Sequence, residues 1–181
     1  VPHIEISNDE PGIRGLMVQR PDTAAPLNHL AETLLRSPLS LDRGERELIA
    51  AYTSHLNRTP YCSGSHGAFA AAQLDGGDAL VAAVLKDPDS APITPLLRAL
   101  LRIAAEVRGE VGPVSAEAVA AARSAGADDR RIHDTVLIAA AFCMYNRYVT
   151  CLDTRYPEDR GYFEESAKMI TTRGYASVAG G

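Results

Sequence analysis

LDRGERELIAAYTSHLNRTPYCSGSHGAFAAAQ, residues 41–73, holds two helix starts separated by one reversal. Asp42 has the side chain of an N-cap, and Glu45 follows three residues later, a variant of the capping box. Leu48, Ile49, Tyr52 and Leu56 then recur at helical spacing on one face, and the pattern ends near Asn57. Thr59-Pro60 restarts it with a capping residue and a proline at the first helical position, where the missing N–H costs nothing. The second helix runs through the alanine-rich stretch to Gln73 and meets Gly76-Gly77 as its stop.

The same signals recur on both sides. Leu27, Leu30, Ala31, Leu34 and Leu35 predict a helix from Pro26, ended by Pro38, and Asp78 opens a short one ending near Leu85. KDPDSAPITP, residues 86–95, is a loop dividing the chain into two unequal helical halves. Thr94-Pro95 repeats the cap-plus-proline start for Leu97, Leu100, Leu101, Ala104 and Val107, and Ser115 caps the next helix, which Gly126 ends. Asp128 or Asp129 opens the longest pattern, free of Gly and Pro to about Leu152, and a short helix follows from Tyr162 to Thr172. Residues 1–25, rich in Pro, Gly and Asp, read as an irregular arm, because His3 to Ile6 is too brief an alternation to found a sheet. Residues 173–181 read as a loose Gly-rich tail. The expectation is one all-α domain over residues 1–181, with six to eight helices packed around one core.

The 181 residues lie within the usual range of one domain, and the apolar share of 46% is close to that of soluble proteins. A net charge of −5 with both signs interspersed offers no basic stripe for a phosphate backbone, so nucleic acid is excluded as an expected partner. No stretch stays uncharged long enough to cross a bilayer, and Val1 to Glu5 has neither the basic start nor the apolar run of a secretory signal. Cys62, Cys143 and Cys151 form neither a disulfide framework nor a paired zinc motif. Reduced thiols in a cytoplasmic protein follow as the expectation. No Gly-rich phosphate loop follows a strand and no metal-ligand cluster is visible, so neither cofactor nor metal is expected.

Reactive chemistry concentrates at TPYCSGSH, residues 59–66. With Thr59 as cap, Cys62 sits in the first helical turn, where unpaired N–H groups and the helix dipole favour an anion and so a lowered thiol pKa. His66, four residues on, lies one turn along the same face, within expected reach of the sulfur. Glu47 belongs to the preceding helix, which turns back at residues 57–59; spacing alone does not decide whether its carboxylate meets this turn. Cys143, on an apolar stripe, and Cys151 are read as structural, and as distant candidates for a resolving thiol. His3, His29 and His133 have no partner at metal-ligand spacing, His55 precedes the turn as a candidate packed residue near the site, and all four are read as structural. Asn57-Arg58 before Cys62 and Asn146-Arg147 before Cys151 share one spacing, a weak internal echo.

Glu47, eleven intervening residues, position 59, two more, Cys62, three more and His66 resemble the signature of the alkylhydroperoxidase AhpD family, part of the carboxymuconolactone decarboxylase superfamily. ERELIAAYTSHLN, YCSGSHGAFA and RSAGADDRRIHDTVLIAAAFCMYNRYV look like its peroxidase-related branch, and the likeness covers most of residues 10–155. It implies an all-helical fold, Cys62 as the attacking thiol, Glu47 as base, His66 as proton relay, and a homo-oligomer. Thr59 stands where the family's CxxC pair has its first cysteine, and Tyr61 where it has a histidine. The intramolecular disulfide is therefore lost.

The resulting expectation is a hydroperoxide reductase with one reactive cysteine, Cys62, whose sulfenic acid is reduced by an external thiol. Two alternatives stand beside it. A carboxymuconolactone decarboxylase-like lyase would need a cation such as Arg58 or Arg147 to hold a carboxylate and would not need Cys62. A non-catalytic oligomer that binds a ligand or senses oxidants would modify Cys62 stoichiometrically without turnover.

Overall fold

A computed structural model describes residues 1–159 and 161–176. Among the described residues it contains nine helices: α1 (Gly12–Gln19), α2 (Pro21–Arg36), α3 (Arg43–Leu56), α4 (Pro60–Ala71), α5 (Gly77–Lys86), α6 (Pro95–Val107), α7 (Ala116–Ser124), α8 (Asp129–Cys151) and α9 (Tyr162–Arg173). No strand forms among these residues. The all-α class holds, and the expected six to eight helices become nine.

α3 is the axis of the fold. Residues Glu47 to Ser54 are buried all round, because α3 packs against α2, α4, α5, α6 and α8. The buried hydroxyls of Thr53 and Ser54 are bonded: Thr53 Oγ1 donates to the Ile49 carbonyl at 2.8 Å, and Ser54 Oγ accepts from Asn146 Nδ2 at 3.0 Å. α3 folds back on α4 as a helical hairpin, α8 lies along α3 and α6, and α9 covers α4. Leu48, Ile49, Leu100, Leu101, Ile138 and Phe142 fill the centre. Truncating one such leucine to alanine costs about 2–5 kcal/mol.

Side-chain capping opens α3, α6, α7 and α8. Thr94 Oγ1 accepts from Leu97 N at 3.1 Å, Ser115 Oγ from Ala118 N at 3.1 Å, and Asp128 Oδ1 from Arg131 N at 2.9 Å. In α3 the reciprocal half of the capping box joins Asp42 N to Glu45 Oε2 at 3.2 Å. The loop between α5 and α6 is pinned by Arg98, whose guanidinium donates to the carbonyls of Pro88 and Ala91.

Two expectations are corrected. The irregular arm of residues 1–25 contains α1 and the first turn of α2. Arg20 and Asp22 pair at 2.7 Å to secure the start of α2, and Pro26 sits inside that helix rather than at its head. α1 survives two glycines because Gly12, at φ +58, lies against the Tyr61 ring, where a Cβ would come within 2.4 Å of ring carbons. The loose tail is also revised. Gly174, at φ +79, turns the chain after α9, and Tyr175 enters the core with 8% of its surface exposed. Ser177 to Gly181 of that expected tail lie outside the described residues.

Candidate functional site

The α3–α4 hairpin brings Glu47 against His66. His66 Nδ1 lies 2.7 Å from Glu47 Oε2, and only 1% of the Glu47 side chain is exposed. A carboxylate there accepts the Nδ1 proton, which leaves Nε2 as the basic nitrogen of the ring. The imidazole edge is held by Phe142 and Phe69, with ring centroids at 4.5 and 5.2 Å.

Cys62 lies on the other wall. Its thiol packs with Tyr61 and Val149, flanked by Ile13, Tyr162 and Phe163. Cys62, Ser65, His66, Phe69, Phe142 and Tyr175 all open onto one cavity of about 80 Å³, room for a water or a small substrate group. Among the described residues no direct hydrogen bond joins Cys62 to His66; the cavity is what they share. The structure thus brings together Cys62, Glu47 and His66, the three residues singled out in the sequence.

Two details of that reading are overturned. Thr59 does not cap α4 with its side chain; its hydroxyl instead lies 3.1 Å from Thr150 Oγ1 on α8. Nor is the thiol acidic at rest. Burial pushes Cys62 up to about 12, and a hydrogen bond with Asn146 only partly opposes the shift. The helix head alone does not offset removal of the sulfur from water.

The other candidates lie elsewhere. Arg58 and Arg147 are exposed and do not line the cavity, and His3, His29, His55 and His133 are exposed outside it. Cys143 is half-buried and accepts from Asn57 Nδ2 at 3.6 Å, whereas Cys151 is exposed at the end of α8. The internal echo acquires a physical meaning, because Asn57 Nδ2 donates to Asn146 Oδ1 at 2.8 Å and ties α3 to α8 behind the sulfur. Among the described residues no group of His, Cys, Asp and Glu could hold a metal, and no helix is long and apolar enough to cross a membrane.

One group was absent from the sequence reading altogether. Tyr175 donates to Glu47 Oε1 at 2.6 Å and stacks over His66 at 6.2 Å. It lies 128 residues from its acceptor, so no local pattern announces it. Burial, together with the neighbouring Glu47, holds its phenol well above the ordinary value.

The carboxymuconolactone decarboxylase family profile matches residues 21–106, a span that contains Glu47, Cys62 and His66. No curated protein matches the chain. Among solved structures, the chain resembles an uncharacterized peroxidase-related protein with an alkylhydroperoxidase AhpD core from Ralstonia eutropha JMP134. That likeness has a TM-score of 0.76 and 26% identity, and it covers 87% of this chain and 81% of the other. An uncharacterized peroxidase-related protein from Silicibacter sp. TM1040 shares the fold, with a TM-score of 0.75, 23% identity and coverage of 85% and 78%. Residues 21–106 match the carboxymuconolactone decarboxylase family and the helical architecture is similar to that of an AhpD core, so the chain resembles the AhpD-like carboxymuconolactone decarboxylase superfamily.

Proposed function

We propose that this protein is a thiol-dependent hydroperoxide reductase in which Cys62 is the reacting sulfur, His66 the proton carrier and Glu47 its orienting carboxylate. The observation that supports this reading best is the shared cavity: a Glu47-bound imidazole and the only fully buried thiol line the same space. This is the nucleophile–base–orienter arrangement of acyl-transfer triads with sulfur in place of oxygen. Glu47 thereby changes role, from direct base to the group that orients and charges the base.

The thiol starts neutral, so ionisation belongs to the reaction. Cys62 gives its proton to His66, and the thiolate attacks the outer peroxide oxygen. The S–O bond forms as the O–O bond breaks, and the departing alkoxide recovers the proton from the imidazolium, giving an alcohol and the sulfenic acid of Cys62. One external thiol then displaces water to form a mixed disulfide, and a second releases the external disulfide and restores Cys62. No cysteine precedes Cys62 at Thr59, which favours an external reductant.

Steady-state hydroperoxide consumption with a dithiol reductant, compared between the native chain and Cys62→Ser, tests this reading, with the sulfenic acid trapped for mass spectrometry. Both signals are expected to vanish in the variant; consumption that persists without Cys62 refutes it. The lyase alternative is less well supported, because among the described residues Arg14 is the one Arg or Lys lining the cavity and it is paired with Glu10 at 3.0 Å. Self-association fits the same proposal. Leu137, Ala140, Met144 and Arg147 are exposed along one side of α8 at spacings of three and four, a seam suited to a second copy.

A further inference from the structure

We propose that Tyr175 is a positioning residue of this site: its phenol, carried in by the segment after α9, holds the Glu47 carboxylate in the plane that selects the Nδ1-protonated form of His66. The inference rests on the reading of Glu47 and His66 as proton-handling groups, and it adds a residue that the superfamily match does not reach, since that match ends at residue 106.

The geometry is specific. Both oxygens of Glu47 are engaged, Oε2 by His66 Nδ1 at 2.7 Å and Oε1 by the Tyr175 hydroxyl at 2.6 Å. A carboxylate held at one oxygen swings about its last torsion, whereas one held at both presents a fixed lone pair to the imidazole. The phenol is also 3.4 Å from His66 Nδ1, and its ring lies at 18° to the imidazole, so it borders the acid and the base together.

The segment that delivers Tyr175 is itself anchored. Tyr175 N donates to Glu32 Oε2 at 2.6 Å, and Arg36, paired with Glu32 at 3.2 Å, donates to the Ile170 carbonyl near the end of α9. Gly174 suits this turn because its φ of +79 is a conformation that L side chains rarely adopt. The charged and titratable groups around Glu47 are therefore His66 from α4, with Cys62 across the cavity from that imidazole, Tyr175 from the trailing segment, Glu32 and Arg36 from α2 behind that tyrosine, and Arg46 on α3 itself. Tyr175 is the one that donates a neutral hydroxyl to the acid.

The test is Tyr175→Phe, which keeps the ring and removes the hydroxyl. Imidazole 15N shifts of His66 in the native protein are expected to report one tautomer, protonated at Nδ1, and in the variant a mixture of the two. Hydroperoxide turnover is expected to fall about tenfold in kcat with KM little changed, the scale of one hydrogen bond to a charged group. Glu32→Ala, which unlatches the segment from outside the cavity, is expected to mix the tautomers in the same direction. A native 15N pattern and native kcat in both folded variants would overturn the proposal. If the tautomers mix in Tyr175→Phe while the native protein consumes no peroxide, the positioning role stands and the peroxide reading fails. If peroxide is consumed and the tautomer is indifferent to Tyr175, the reverse holds.

Discussion

The two walls of the cavity are built on opposite principles. On the Glu47 side both carboxylate oxygens have partners at 2.6–2.7 Å, and the acid, imidazole and phenol are already in place. On the Cys62 side, aromatic and aliphatic residues surround the sulfur, and burial keeps it protonated to about pH 12. Under the proposed function, the difference means that the proton-handling groups are preorganised while the reacting sulfur is held in reserve. A permanently ionised thiol would react with any oxidant that reached it; a neutral one beside a fixed base reacts when a substrate occupies the space between them.

The strongest way to break this contrast is to remove the sulfur. Cys62→Ser is expected to lower hydroperoxide consumption by at least about a thousandfold, measured under saturating dithiol, because a serine hydroxyl cannot form the sulfenic acid. Disarming the opposite wall comes next: Glu47→Gln or His66→Gln is expected to reduce kcat by about 10²–10⁴, the usual contribution of a placed proton-transfer group. Should either variant turn over normally, the polar wall is scaffolding and the contrast has no catalytic meaning.

The structural link between the walls is open to a milder attack. Asn146→Ala removes the 2.8 Å acceptor of the Asn57 amide and the donor to the Ser54 hydroxyl, and is expected to cost about 1–3 kcal/mol in urea unfolding. A pH series sharpens the same point on the sulfur side. A thiol held up by burial gains thiolate as pH rises, so alkylation of Cys62 by iodoacetamide is expected to climb close to tenfold per pH unit between about 7 and 11. A plateau near pH 8 would mean an ordinary exposed thiol. The smallest effect is expected from Arg58→Ala and Arg147→Ala, whose peroxide kinetics should stay within about twofold of native because neither residue lines the cavity.

What could be read beforehand follows from how far each interaction reaches along the chain. Thr94, Ser115 and Asp128 cap helices through bonds three residues long, and a pattern that short is visible in the text. The frame of Glu47, Cys62 and His66 was legible because a single tight hairpin brings all three together. α1 escaped notice because Gly12 and Gly15 argue against a helix until Tyr61, from another helix, is there to receive Gly12. Proline at the first helical position points to Pro26, but α2 opens on an earlier proline, Pro21, beside the exposed Arg20–Asp22 pair. The thiol's acidity was misjudged for a similar reason: the helix head is local, whereas Val149 and Phe163, which exclude water from the sulfur, arrive from α8 and α9. Tyr175 is the extreme case, a side chain with no signal until the chain is folded.

The three cysteines differ enough in setting to be told apart chemically. Cys151 is exposed at the end of α8, Cys143 half-buried in its middle, and Cys62 sealed. A maleimide dye at neutral pH should therefore label α8 at its end well before it touches the cavity, giving a built-in optical reporter for titrating ligands against the unmodified site.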